Sequence, residues 1–113
     1  MDSRDHLRIR QQKAAGGLVD LPLSKSISNR LLIISALSNG RVKVSDFSGA
    51  NDTRLLKGLL KEPPGILDAR DAGTAFRFLT AFLAIRDGHW LLTGSARMKE
   101  RPIEPLVKAL SHL

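Results

Sequence analysis

Leu7-Arg8-Ile9-Arg10 alternates apolar and basic residues, the period-two pattern of a half-buried strand. Gly16-Gly17 interrupts it, and Leu18-Val19-Asp20-Leu21 extends the β region as far as Pro22. The period then changes. Ile27, Leu31, Ile34 and Leu37 recur every three or four residues, predicting a helix from Ser26 to Ser38 that Asn39-Gly40 stops. Ser24 or Ser26 can cap its start, because a hydroxyl oxygen accepts from a helix N–H that has no carbonyl partner. Arg41 to Ser45 alternates again, as a strand does. Asn51 and Asp52 offer caps for a second helix running through Leu60, which Pro63-Pro64-Gly65 ends. Ile66 to Ala69 reads as a short strand, and Asp71-Ala72-Gly73-Thr74 opens a third helix, Ala75 to Ile85, apolar on most faces and so expected to be buried. After Asp87-Gly88, His89 to Thr93 reads as a strand. Pro102 suits the first turn of a last helix toward Leu113. Strands and helices alternate throughout, which is the pattern of an α/β fold.

The 113 residues allow one ordinary domain, and a hydrophobic share of 42% supports a modest core. With four Phe, one Trp and no Tyr, aliphatic residues must fill that core. The absence of cysteine removes disulfides, thiolate catalysis and cysteine-ligated metals, and fits a cytoplasmic protein. The opening MDSRDHLRIRQQ is too charged for a signal peptide, and Phe76 to Ile85 is too short and too polar to span a bilayer. The net charge of +7 suits either a small anionic substrate or a nucleic acid, and where the basic residues fall matters more than their sum.

Basic residues concentrate in three segments, each next to a helix start. In Ser24-Lys25-Ser26-Ile27-Ser28-Asn29-Arg30, unpartnered N–H groups and the helix dipole attract anions. Lys25 adds a point charge, Ser26 a hydroxyl, and Arg30 returns to the face of Ser26 one turn later. A capped helix carrying solvated cations fits the same residues equally well. Asp71-Ala72-Gly73-Thr74-Ala75-Phe76-Arg77 repeats the design, with Gly73 permitting close approach of a ligand to the backbone, Thr74 adding a hydroxyl and Arg77 following. Taken singly, it reads more readily as a glycine turn with Asp71 as cap and Arg77 on the surface. Arg97-Met98-Lys99-Glu100-Arg101-Pro102 sets three cations around one carboxylate, either a bidentate anion clamp or an exposed charged loop. Arg54 beside Asp52 reads foremost as a surface ion pair. His6, His89 and His112 have no metal-ligand spacing.

Together, Leu21-Pro22-Leu23-Ser24-Lys25-Ser26-Ile27-Ser28-Asn29-Arg30, Asp71-Ala72-Gly73-Thr74-Ala75-Phe76-Arg77 and Arg97-Met98-Lys99-Glu100-Arg101-Pro102-Ile103 resemble, in order, the signatures of the EPSP synthase family. The resemblance covers most of residues 18 to 112. It implies transfer of the enolpyruvyl group of phosphoenolpyruvate to the 5-hydroxyl of shikimate 3-phosphate through a tetrahedral ketal, with no metal or organic cofactor. It implies that Lys25 touches both substrates and is the acid/base candidate, and that Ser26 and Arg30 hold shikimate 3-phosphate. Gly73 and Arg97 would border the phosphoenolpyruvate site, where glyphosate also binds in this family, with Thr74, Glu100 and Arg101 close by.

The family's fold is two domains, each of three repeated β-α-β-α-β-β units arranged as an inside-out α/β barrel. By that resemblance residues 1–20 are the opening strand region of the first domain, and residues 21–113 are the first unit, with the start of the next, of the second. The missing C-terminal portion is then an expected partner, and apolar surface meant for it should lie exposed. Departures from the family pattern are Leu23 for Gly, Asp71 for Asn, Phe78 for Pro, and a short link from Leu60 to Asp71. A cell-wall enolpyruvyl transferase acting on a UDP-sugar fits less well, since it usually carries a reactive Cys and lacks the Arg-Met-Lys-Glu-Arg-Pro string. A small basic nucleic-acid-binding module is the alternative from another class, disfavoured by the lack of interleaved aromatic residues.

Overall fold

A computed structural model describes residues 6–113. The elements are α1 (Lys25–Leu37), α2 (Asn51–Leu59), β1 (Gly65–Asp68), α3 (Gly73–Leu83), β2 (Trp90–Thr93), the short α4 (Ala96–Lys99) and α5 (Glu104–Ser111). This mixture of helices and strands is an α/β arrangement. β1 and β2 pair in parallel with Ile66 opposite Leu91 and Leu67 opposite Leu92, and α3 crosses between them.

The core forms where α3 lies on this small sheet. Ala75, Leu79, Phe82 and Leu83 of α3 are buried with Leu67 of β1, Leu56 of α2 and Leu32 of α1. Each Leu or Phe so buried contributes about 1.5–3 kcal/mol. Side chains alternate across a strand, so Leu67 points to the core while its neighbour Ile66 and the cross-strand partner Leu91 lie exposed on the opposite face.

The recurring set that marks α1 as a helix is not the face it buries. Ile27, Ile34 and Leu37 are exposed, while Ser28, Asn29 and Leu32 are buried. α1 is apolar on two sides, and only the side toward α2 and α3 is covered. Its other side forms, with α3, a groove of 390 Å³ lined by Ile33, Ile34, Leu37, Phe78, Ala81 and Ile85, with Arg30 at its edge.

Two expected strands are absent. Residues 7–10 and 18–21 form no strand, with Leu7, Ile9, Leu18, Val19 and Leu21 in solvent. An alternating pattern permits a strand, but the backbone groups need a neighbouring strand to bond with. Residues 41–45 are also not a strand, because the backbone of Val42 is already engaged: its N–H donates to the Ser38 hydroxyl (2.9 Å) and its carbonyl accepts from the Ser35 hydroxyl (2.7 Å). The last helix begins at Glu104 with Pro105 in its first turn, so Pro102 lies before it.

Candidate functional site

The parallel pair extends past its last strand residues and so ties two loops together. Ala69 N–H donates to the Thr93 carbonyl (2.8 Å) and Ser95 N–H donates to the Arg70 carbonyl (3.0 Å). Arg70 has φ of 49°, uncommon for a residue with a side chain, and its N–H is held by the Asp68 carboxylate at 2.8 Å. Gly94 packs directly on this turn: a Cβ there would lie 2.8 Å from the Arg70 carbonyl oxygen and 2.9 Å from Met98 Cβ. The carboxyl ends of parallel strands are where open α/β sheets gather ligand-binding loops.

At that end lies an open cleft of 620 Å³ lined by Asn51, Asp52, Arg54, Arg70, Asp71 and Ala72. Two helices start on it. α2 begins after Ala50 and α3 after Ala72, neither of which can offer a capping side chain, and neither start receives a side-chain capping bond. The expected capping by Asn51 and Asp52 does not occur. Both residues lie inside the first turn of α2, where the Asp52 carboxylate suits the positive end of the helix dipole and accepts from Lys25 Nζ at 2.9 Å. Asp71 does not cap α3 either, and its carboxylate instead accepts from the Ser95 hydroxyl.

The three sequence motifs are thus distributed unequally. Ser24 caps α1, its hydroxyl oxygen accepting from Ile27 N–H at 3.3 Å. Lys25 reaches the cleft rim through Asp52. Ser26 and Arg30 share a helix face, as expected, but Arg30 Nη1 donates back to the Ser26 carbonyl at 2.9 Å. The Arg30 guanidinium also lies 5.6 Å from the centre of the Phe78 ring, on the apolar groove. Gly73 is the first residue of α3, and the Arg101 guanidinium occupies the space where a Cβ would be. Arg77 Nη2 donates to the Pro102 carbonyl at 2.9 Å, so the third motif folds over the start of α3. Arg97 is exposed on α4, whose N-cap is Ser95, with Glu100 as its C-cap. Thr74 is half-buried in the first turn of α3.

Lys25, Arg30 and Arg97 do not line one common cleft among those described: Arg30 belongs to the groove, and Arg97 lines neither it nor the polar cleft. Arg70, Asp52 and Ser95 are the site residues that sequence reading missed. Asn29, in the first motif, is fully buried and its amide finds no hydrogen-bond partner in the protein. Among the described residues, no cluster of His, Cys, Asp or Glu could hold a metal ion, and no helix is long and apolar enough to cross a membrane.

Two helix starts without side-chain caps, near the carboxyl ends of parallel strands, open on a polar cleft in an α/β protein. The profile of one family, described as EPSP synthase (3-phosphoshikimate 1-carboxyvinyltransferase), matches residues 9–62 and 56–113, and the chain belongs to that family. It is 48% identical over 95 residues to the 3-phosphoshikimate 1-carboxyvinyltransferase of Bacteroides fragilis (strain YCH46), covering 84% of this chain and 23% of the relative. The enzyme of the same name from Hamiltonella defensa is 41% identical over 120 residues, covering 83% of this chain and 28% of the relative. That from Ralstonia nicotianae is 40% identical over 131 residues, covering 94% and 30%. The chain therefore spans 23–30% of the length of these relatives. No solved structure matches it.

The alignments also bear on the short link after α2. The Bacteroides match uses 95 positions for 84% of 113 residues, which leaves no room for gaps in this chain. The Ralstonia match uses 131 positions, more than the whole chain has, so that relative carries residues without a counterpart here. The two profile stretches meet at residues 56–62, the end of α2.

Proposed function

We propose that this chain forms part of an enzyme that transfers the enolpyruvyl group of phosphoenolpyruvate to the 5-hydroxyl of shikimate 3-phosphate, with residues 21–113 supplying one wall of the site. The relatives' shared name describes carboxyvinyl transfer to 3-phosphoshikimate. What supports the reading most is that α2 and α3 both start, uncapped by side chains, on one cleft that carries Arg54 and Arg70 and has Lys25 at its rim. Free N–H groups at two helix starts are a ready donor set for phosphate and carboxylate oxygens.

In the reaction, the substrate hydroxyl gives up its proton as its oxygen adds to C2 of phosphoenolpyruvate, and a proton is delivered to C3. The resulting ketal then loses phosphate from C2 and a proton from C3, restoring the double bond in the product. Lys25 is the acid/base group assigned here. Its ammonium, held by Asp52, exchanges a proton at the substrate, and Gly73 and Arg97 hold phosphoenolpyruvate, with Arg101 in support and Arg97 turning toward the cleft that it does not line here. Ser26 and Arg30 hold shikimate 3-phosphate, which requires Arg30 to leave its bond to the Ser26 carbonyl and turn toward the substrate. Thr74 and Glu100 support the two loops. The rest of the enzyme covers the bare face of β1–β2 and the α1/α3 groove, completing the repeated-unit domain; residues 1–20 belong to the other domain.

Amide NMR during titration with shikimate 3-phosphate tests this. Shifts confined to Lys25, Ser26 and Arg30, with phosphoenolpyruvate moving Gly73 and Arg97, are expected, together with negligible phosphate release. Absence of any shift at millimolar ligand, or steady turnover by the chain on its own, would refute the reading of residues 21–113 as one wall of a larger site.

A further inference from the structure

The exposed Asp71 carboxylate accepts from the Ser95 hydroxyl, and the same Ser95 oxygen accepts from Met98 N–H at 3.3 Å, capping α4. Ser95 N–H is bonded in turn to the Arg70 carbonyl, next to Asp71. The hydroxyl is therefore used twice, once as donor and once as acceptor, and a hydrogen bond to an ionised acceptor is roughly twice as strong as a neutral one. These bonds join two loops 24 positions apart in the chain: the entrance of α3 and the turn that carries Arg97.

We propose that Asp71 is a positioning residue that, through Ser95, locks the Arg97-bearing turn to the entrance of α3 so that both present their anion-binding groups as one unit. The inference rests on the substrate reading above for what the unit binds, but the lock itself does not depend on it. Asp71 adds a negative charge to the cleft it lines. An amide at this position would keep an acceptor oxygen for Ser95 and remove that charge, so the two roles of the side chain separate experimentally.

Asp71→Ala, Asp71→Asn and Ser95→Ala of the full chain are compared by amide hydrogen exchange without ligand and by NMR titration with phosphoenolpyruvate and with inorganic phosphate. Asp71→Ala and Ser95→Ala should each raise exchange at Met98 and Lys99 by about tenfold, while Asp71→Asn stays within about twofold of the parent. On titration, Arg97 and Gly73 should shift together in the parent and in Asp71→Asn, and independently in Asp71→Ala. Asp71→Asn should bind phosphoenolpyruvate about threefold more tightly at low salt, the gain vanishing at high salt. Unchanged exchange in Asp71→Ala overturns the lock whatever the titration gives. Increased exchange with no anion-dependent shift in any of the proteins sustains the lock and sinks the substrate reading. A loss of coupling that Asp71→Asn fails to restore overturns the assignment to the acceptor oxygen.

Discussion

The starts of α1 and α3 look alike in sequence, each a small-residue turn with a basic residue one turn on, yet the protein uses them in opposite ways. α1 is closed by its own serine, and its arginine folds back onto the helix and over Phe78, at the edge of an apolar groove. α3 starts without a cap on a polar cleft, and its turn is held from outside by Ser95, Arg101 and Pro102. The difference comes from position. α3 is the crossover between two paired strands, so its start is delivered to the carboxyl end of the sheet together with the loop after β2. α1 follows a segment with no partner strand, and its start is held by Ser24, by the Lys25–Asp52 pair and by the buried Ser28 hydroxyl, which accepts from Ser48 N–H at 2.8 Å.

The sharpest way to break this contrast is to remove packing from each helix in turn. Leu79→Ala in α3, whose side chain is fully buried, should cost about 2–5 kcal/mol, and urea unfolding followed by circular dichroism should show the midpoint collapse. Ile27→Ala in α1, 61% exposed, should change stability by no more than about 0.5 kcal/mol in the same assay. Equal losses at the two positions would mean that α1 is as firmly held as α3.

Next in size is a contrast between two glycines of the α3 side. Gly94→Ala drives a Cβ to 2.8 Å from the Arg70 carbonyl, a backbone atom fixed by the ladder, and should destabilise by about 1–3 kcal/mol. Gly73→Ala meets only the end of the Arg101 side chain, which can swing away, so its stability cost should be under about 1 kcal/mol. Its effect should appear instead as a displaced Arg101, read as a changed side-chain guanidinium signal by NMR.

How far the sequence discloses this arrangement depends on what each feature needs. α1, α2, α3 and α5 are readable from local periodicity and from glycine and proline punctuation, and β1 and β2 from short apolar runs between such punctuation. The strands expected at 7–10 and 41–45 are not readable, because alternation says nothing about whether a partner is present or whether serine hydroxyls have already taken the backbone of Val42. α4 has four residues, too few to show a period, and its only local sign is Ser95 three positions before Met98. In the candidate site, the roles proposed for Lys25, Gly73 and Arg97 rest on the resemblance of their motifs to the family's. The cleft does not, since Asp52 finds Lys25 across 27 positions and Arg70 owes its place to a left-handed turn at the end of β1. Asp71 shows the limit most plainly. Its residue type suggests a cap, and only the fold reveals that its partner is a serine beyond the next strand.

Caps provide a smaller test. Ser24→Ala removes the one side-chain bond that closes α1 and should cost about 1 kcal/mol, measured by the same unfolding assay and accompanied by faster exchange at Ile27. If Arg30 and Lys25 already anchor the helix, the loss will be near zero and α1 will prove less dependent on its serine than the geometry implies.

The smallest effect is expected at the ion pair that joins α1 to α2. Lys25 and Asp52 are 2.9 Å apart with side chains 48% and 32% exposed, so solvent screens the attraction and ordering the lysine offsets part of it. Lys25→Met, which keeps most of the stem, should lower stability by no more than about 0.5 kcal/mol, and moderate salt should erase even that. The same substitution should abolish the shifts of Ser26 and Arg30 on titration with shikimate 3-phosphate, because it removes a positive charge and a donor from the rim of the proposed site. A large loss of stability with ligand response intact would reverse the assignment, making Lys25 a strut between α1 and α2 and leaving Arg54 and Arg70 to serve the anion.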